Sequence, residues 1–134
     1  MKFLNREEIL NRKDIVTEAV YVPQWDGYVN VKSLTGRERD AFERSIIDSK
    51  GKGRNTKTEL RDNIRARLVA LSVVDEKGER VFKTADVEAL GEKNAGAIDA
   101  IFSVAQRLSK LTEEDVEELA ENFTETENDS SISS

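Results

Sequence analysis

The chain contains no cysteine and no histidine, and only one proline, one tryptophan and one methionine. Without cysteine there is no disulfide framework, no thiolate nucleophile and no thiolate metal site. Without histidine the Ser-His-Asp and Cys-His relays are excluded, and no side chain titrates near neutrality at its ordinary pKa. Long apolar runs are also missing. The longest, such as Leu68 to Leu71, span a few residues, far below the roughly 20 that cross a bilayer as a helix. The opening residues Met-Lys-Phe-Leu-Asn-Arg-Glu-Glu lack the apolar stretch of a secretory signal. The expectation is a soluble protein in a reducing compartment. With 134 residues, 37% apolar and 36% charged, the chain has room for one domain with a modest core and a heavily solvated surface.

The charge is plentiful and unevenly placed. The formal net is −6, yet Thr112 to Ser134 holds nine acidic residues and no basic one, so residues 1–111 carry 21 basic and 18 acidic groups, a net of +3. Within that body, Lys50 to Arg67 has seven basic residues against Glu59 and Asp62. The plain reading is a solvated helix face followed by a solubilising acidic tail. The functional reading is that each stretch attracts the other or recruits a partner of opposite charge.

The hydrophobic spacing predicts α+β architecture, mainly α with a small N-terminal β-hairpin. Asn5 with Glu8 forms a capping-box pattern ahead of a short helix over Arg6 to Arg12. Ala19 to Val22 and Tyr28 to Lys32 then alternate around Pro23-Gln24-Trp25-Asp26-Gly27, which reads as a hairpin with its valines facing inward. Thr35 and Glu38 make a second capping box, followed by Ala41, Phe42, Ser45 and Ile46 on one helical face, fading near Asp48. A flexible cationic link from Ser49 to Asn55 precedes Thr56 and Glu59, a third box that opens a helix with Leu60, Ile64, Ala66, Leu68 and Leu71 on its apolar side. Leu71 to Val74 suits either a helix end or an extended segment. Asp75 to Gly78 is a turn, and Arg80 to Lys83 is extended. Thr84 and Asp86 begin a short helix with Gly91 as its C′ residue. Asn94 caps a helix carrying Ile98, Ile101, Phe102, Ala105 and Leu108, and Thr112 with Asp115 starts a last one bearing Val116, Leu119 and Phe123. The residues after Phe123 are too polar to offset their ordering entropy and are expected to be disordered. The division is therefore a domain over 1–123 and an acidic, serine-rich tail over 124–134.

Motifs for chemistry fail on inspection. Gly51-Lys52-Gly53 lacks the upstream glycine and the following Ser or Thr of a phosphate loop. Asp75 to Asp86 has the length of a calcium loop but places Lys77 at a ligand position and its glycine two positions early. Paired carboxylates such as Glu7-Glu8 and Glu113-Glu114 lie in polar surroundings, not in the desolvated setting that general acid/base work requires. The reading is a non-enzyme with no cofactor and no metal. The basic stretch Lys50 to Arg67 could meet nucleic-acid phosphates, but no aromatic lies between Phe42 and Phe82 to stack on bases, so nucleic acid is disfavoured. Trp25, with Tyr21 and Tyr28 close by, is either an interface anchor at the hairpin tip or a residue that packs back on Phe3 or Leu4. Arg61 and Arg65 on the basic helix and Phe123 near the end of the domain complete the candidate partner-binding residues.

Four stretches carry a family resemblance. They are Tyr21 to Glu43 (YVPQWDGYVNVKSLTGRERDAFE), Arg67 to Phe82 (RLVALSVVDEKGERVF), and Asp86 to Ala95 with Val104 to Val116. In sequence and order they resemble the tail assembly chaperones of long-tailed phages and prophages of Gram-positive hosts, the XkdN-like group, over about residues 15–123. That resemblance implies a non-enzymatic protein of the host cytoplasm, absent from the mature virion. It implies that the protein holds the tape-measure protein soluble and helps recruit tail-tube subunits. Self-association is a further option. It also implies that a frameshift near the end of the reading frame can yield a longer product. The alternatives are another morphogenesis adaptor of the head–tail connector type, or a small nucleic-acid-binding regulator using the Lys50 to Arg67 stretch.

Overall fold

Alternating exposure along two short segments sets the frame. In the computed structural model, which describes residues 1–50, 57–112 and 114–119 (47–50 and 57–63 through their helical backbone alone), β1 (Thr17–Val22) and β2 (Gly27–Lys32) form an antiparallel hairpin. Val20 lies opposite Val29, and Tyr21 opposite Tyr28. Successive side chains point to opposite faces, so Val22 and Val31 are buried while Tyr21 and Tyr28 face outward. The loop is a 3₁₀ turn, Pro23–Trp25, closed by Asp26 in the left-handed region at φ 46°. Proline suits the start of that turn, and an aspartate tolerates the left-handed conformation better than most residues.

The hairpin is extended by a strand the sequence left open. Helix α3 (Lys57–Ser72) runs through Leu71 and Ser72, after which Val73–Val74 forms β3, antiparallel to β2 through Asn30 and Val31. The order is β1-β2-β3. Val74 also bridges to Arg80, and the Val81 N–H donates to the Val73 carbonyl at 3.2 Å. The turn between them holds Gly78 at φ 86°, where only glycine is free of strain. Asp75 Oδ1 accepts from the Lys77 and Glu79 amides at 2.8 and 3.0 Å.

Helices cover the inward face of the sheet. Asn94 accepts from the Ala97 amide at 3.2 Å to start α5 (Ala95–Leu108), whose Ile98, Ile101, Phe102 and Ala105 follow the 3, 4 spacing and are buried. α5 packs on β1 and β2 and on α3. Thr35 and Glu38 close their reciprocal box at 2.9 and 3.1 Å to open α2 (Gly36–Lys50), which adds Phe42 and Ile46 to the core beside Ile64, Leu68 and Val69 of α3. Burying each such side chain is worth about 1.5–3 kcal/mol. The short α4 (Val87–Gly91) follows a 3₁₀ turn, Thr84–Asp86, and packs on α3 through Val87 and Leu90. The mainly helical α+β reading holds. The box at Thr112 and Asp115 closes at 2.9 and 3.0 Å ahead of helical residues 114–119, whose Val116 and Leu119 rest on the core.

Three details depart from the sequence reading. α2 continues to Lys50, two residues past the expected end. Gly91 is not a left-handed C′ residue: it is the last residue of α4, and Glu92 caps the helix in right-handed conformation. There the Glu92 and Lys93 amides bond back to Ala89 and Leu90, tightening the turn so that no positive φ is required. The left-handed C′ position belongs instead to Lys110, at φ 58°, after α5. The Leu111 amide donates to the Gln106 carbonyl at 3.0 Å, completing a Schellman-type end. Ser49 and Lys50 of the expected link belong to α2, and the rest of that link, Thr56, Phe123 and the expected disordered tail over 124–134 lie outside the described residues.

The first helix stands apart. Asn5 and Glu8 form the expected box, with the Glu8 amide donating to Asn5 Oδ1 at 2.9 Å, and α1 (Arg6–Asn11) follows. None of its residues is buried.

Candidate protein-binding surface

The hairpin tip and the outer face of the sheet form the most distinctive surface among the described residues. Tyr21 and Tyr28, paired across the strands, have ring centroids 5.2 Å apart at 59°. The Tyr21 hydroxyl donates to Asp26 Oδ1 at 3.0 Å, which ties the ring pair to the turn. The rings are 46% and 73% exposed. Each is therefore held by the other, Tyr21 also by its hydrogen bond, while nearly half of Tyr21 and most of Tyr28 face water, the condition of aromatics that serve as anchors.

Trp25 does not pack back on Phe3 or Leu4. It is half-buried against the core, and its 3₁₀ turn rests on α5. Phe3 and Leu4 stand exposed, so the first helix does not hold the tip. Gln24 completes the seat: a Cβ at Gly96 would lie 2.8 Å from Gln24 Nε2, so the first turn of α5 approaches the tip closely.

Beside this tip lies an open concavity of about 800 Å³. β3 is two residues long and covers β2 only at Asn30 and Val31. The edge of β2 beyond it therefore opens into the concavity, where Trp25, Tyr28 and Val29 face Val74, Val81 and Phe82. The rim is acidic, with Asp75, Glu76 and Glu79 against Lys77. Such a site can take an apolar side chain or an extended segment, and its rim favours a cationic one. Sequence reasoning passed over Val81, Phe82 and the acidic rim. Of the Arg80 to Lys83 stretch, expected to be extended, only Arg80 makes a bridge, to Val74, and the chain bends at Val81; its position opposite the hairpin depends on the two-residue strand β3.

The base of the hairpin is clamped electrostatically. Lys32, at the end of β2, donates to Glu38 in the first turn of α2 and to the Ser33 carbonyl at 3.2 Å. Burial by itself would raise the Glu38 pKa; the Lys32 hydrogen bond, the Thr35 amide and the Lys32 charge outweigh it, and the net shift is downward. Arg107 on α5 holds Glu18 of β1 through both carboxylate oxygens, at 2.9 and 2.7 Å.

The remaining candidates are scattered. Arg65 lies 3.6 Å from Asp99 and lines a small cleft with Lys93 and Ile98, which shares no residue with the tyrosine surface. Arg61 is placed only through the backbone of α3, and Phe123 lies outside the described residues. Among the described residues no cluster of carboxylates suited to a metal ion occurs, and no helix is long and apolar enough to cross a membrane.

Comparison with known proteins decides the family. The model of the phage tail assembly chaperones matches residues 6–125. The chain belongs to the phage tail assembly chaperone family. Among solved structures, this chaperone chain is similar to the tail assembly chaperone of bacteriophage HK97, at 15% identity and a TM-score of 0.55, over 76% of this chain and 94% of that one. At that identity the likeness concerns the fold. Comparison with curated protein sequences gave no significant match. The family match takes in α1, the hairpin and the acidic-rimmed concavity.

Proposed function

We propose that this chaperone binds the tape-measure protein in the host cytoplasm, keeps it soluble, and helps bring tail-tube subunits to it. On this reading it is a binding protein and not an enzyme, acts during tail morphogenesis in a long-tailed phage or prophage, and leaves before the virion is complete. The family match over residues 6–125 carries this reading. The exposed tyrosine pair and the concavity beside it support it, because a holding protein needs apolar surface that is preformed yet accessible. Tyr21, Tyr28 and Trp25 form the first contact surface, and Arg61, Arg65 and Phe123 are secondary contacts.

Co-expression with the tape-measure protein encoded beside it tests the proposal. The expected outcome is a tape-measure protein in the soluble fraction that co-purifies with this chain, with recovery falling at least several-fold for the double variant Tyr21→Ala/Tyr28→Ala. A tape-measure protein that stays in the pellet overturns the holding mechanism. Strong, salt-dependent retention on DNA or RNA would instead favour the regulator reading through the Lys50 to Arg67 stretch.

A further inference from the structure

The hollow beside the hairpin tip is also where the sheet stops short. Val74 bridges Asn30 on one side and Arg80 on the other. The Val73 carbonyl accepts from the Val81 amide at 3.2 Å, on the side away from β2. Backbone groups alternate in direction along a strand, so Val74 is the residue that turns its N–H and C=O toward Asn30. Tyr28, two residues before Asn30, presents its own N–H and C=O at that same edge. β3 has ended by then, because the Asp75 amide donates to the Glu79 carbonyl at 2.8 Å and the chain turns away. Among the described residues no backbone bond closes this gap.

The surroundings select what can fill it. Trp25, Val29, Val81 and Phe82 supply an apolar wall. The rim is net −2, with Asp75, Glu76 and Glu79 against Lys77. Glu76 and Glu79 have no ion-pair partner among the described residues. A helix entering the hollow would satisfy its own backbone and leave the Tyr28 groups to water. An extended chain instead has N–H and C=O groups free to pair with them. Acidic side chains along an open edge repel an acidic strand and attract a basic one.

We infer that the hollow receives an extended segment of a partner protein, one that alternates apolar with lysine or arginine side chains and adds as a short strand to the Tyr28 edge of β2. Its backbone pairs with the Tyr28 N–H and C=O, its apolar side chains meet Trp25, Val81 and Phe82, and its cations face Glu76 and Glu79. The holding role proposed above, on which this rests, supplies only the protein that carries the segment; the mode of binding and the chemistry of the segment come from the edge and its rim.

The test is titration of the full chain into dye-labelled peptides, followed by fluorescence anisotropy. A short peptide alternating valine and lysine should bind. The same residues reordered to the three-and-four spacing of a helix, and the alternating peptide with glutamate in place of lysine, should each bind about tenfold more weakly or not at all. Methylating the backbone nitrogens of the alternating peptide at every valine, or at every lysine, blocks the two edges of the strand separately. One form should lose binding and the other keep it. Glu76→Lys/Glu79→Lys should weaken the parent peptide about tenfold, with far-UV circular dichroism unchanged because both positions are exposed. The inference is overturned if the alternating peptide does not bind, if the helical order binds as well, if both methylated forms behave alike, or if the double variant binds as the native chain does. Such a failure beside a tape-measure protein that is soluble on co-expression strikes strand addition alone. Peptide binding as expected beside a tape-measure protein left in the pellet strikes the holding role alone.

Discussion

Helices α1 and α5 begin alike and end in opposite surroundings. Each follows an asparagine whose side chain accepts from an amide three residues on, Asn5 from Glu8 and Asn94 from Ala97. α5 then buries Ala97, Ile98, Ile101, Phe102, Ala105 and Gln106, whereas α1 buries nothing. The comparison separates two contributions that are easily merged. A cap and a helical period start a helix; a partner surface determines how much that helix stabilises the fold. α5 has its partner in the sheet and α3. The apolar side chains of α1 find none within the chain.

The sharpest way to break this contrast is to remove a buried side chain from α5. Ile101→Ala, at a fully buried position, should cost about 2–5 kcal/mol, read as a lower midpoint in urea with little change in slope. Next is the cap. Asn94→Ala should cost about 1 kcal/mol in the same measurement, while Asn5→Ala should leave global stability nearly unchanged, since a fraying α1 exposes no core. Lys110→Gly should act in the opposite direction: relieving a left-handed lysine at φ 58° should stabilise by about 1 kcal/mol, seen as a raised thermal midpoint.

A smaller effect follows from Glu38, which joins the hairpin to α2. Its pKa in the folded chain lies below the ordinary 4.5, so its stabilising contribution is complete above that value. It is lost as pH falls through the lower folded value. Glu38→Gln should therefore flatten the decline of the thermal midpoint between about pH 5 and pH 3. Smallest of all, Ile9→Ala in α1 should change the stability of the dilute chain by less than about 0.5 kcal/mol. A cost like that of Ile101→Ala would show that α1 is packed after all.

Much of this fold was legible because its signals are local. The boxes at Asn5, Thr35 and Thr112, the cap at Asn94 and the valine alternation in the hairpin each rest on residues within a few positions of one another. What escaped was non-local. Val73-Val74 becomes a strand because β2 has an edge to cover, a fact absent from those two residues. Gly91 looked like a C′ residue by type, yet the left-handed position went to Lys110, where the packing of Leu111 decides the path of the chain. The same division runs through the site. Tyr21, Trp25 and Tyr28 were recognisable as neighbours along the chain. The acidic rim and Val81 reach them only through the sheet, and Arg65 lies in a separate cleft because α3 turns it toward Asp99.

The placement of Trp25 has a practical consequence. It is the only indole in the chain, partly shielded by the core and partly lining the hollow with Tyr28. Anything that enters the hollow displaces water from one side of that ring without disturbing the other. The protein thus carries its own optical gauge: its emission maximum should move to shorter wavelength as the site fills, so occupancy can be followed with no label attached.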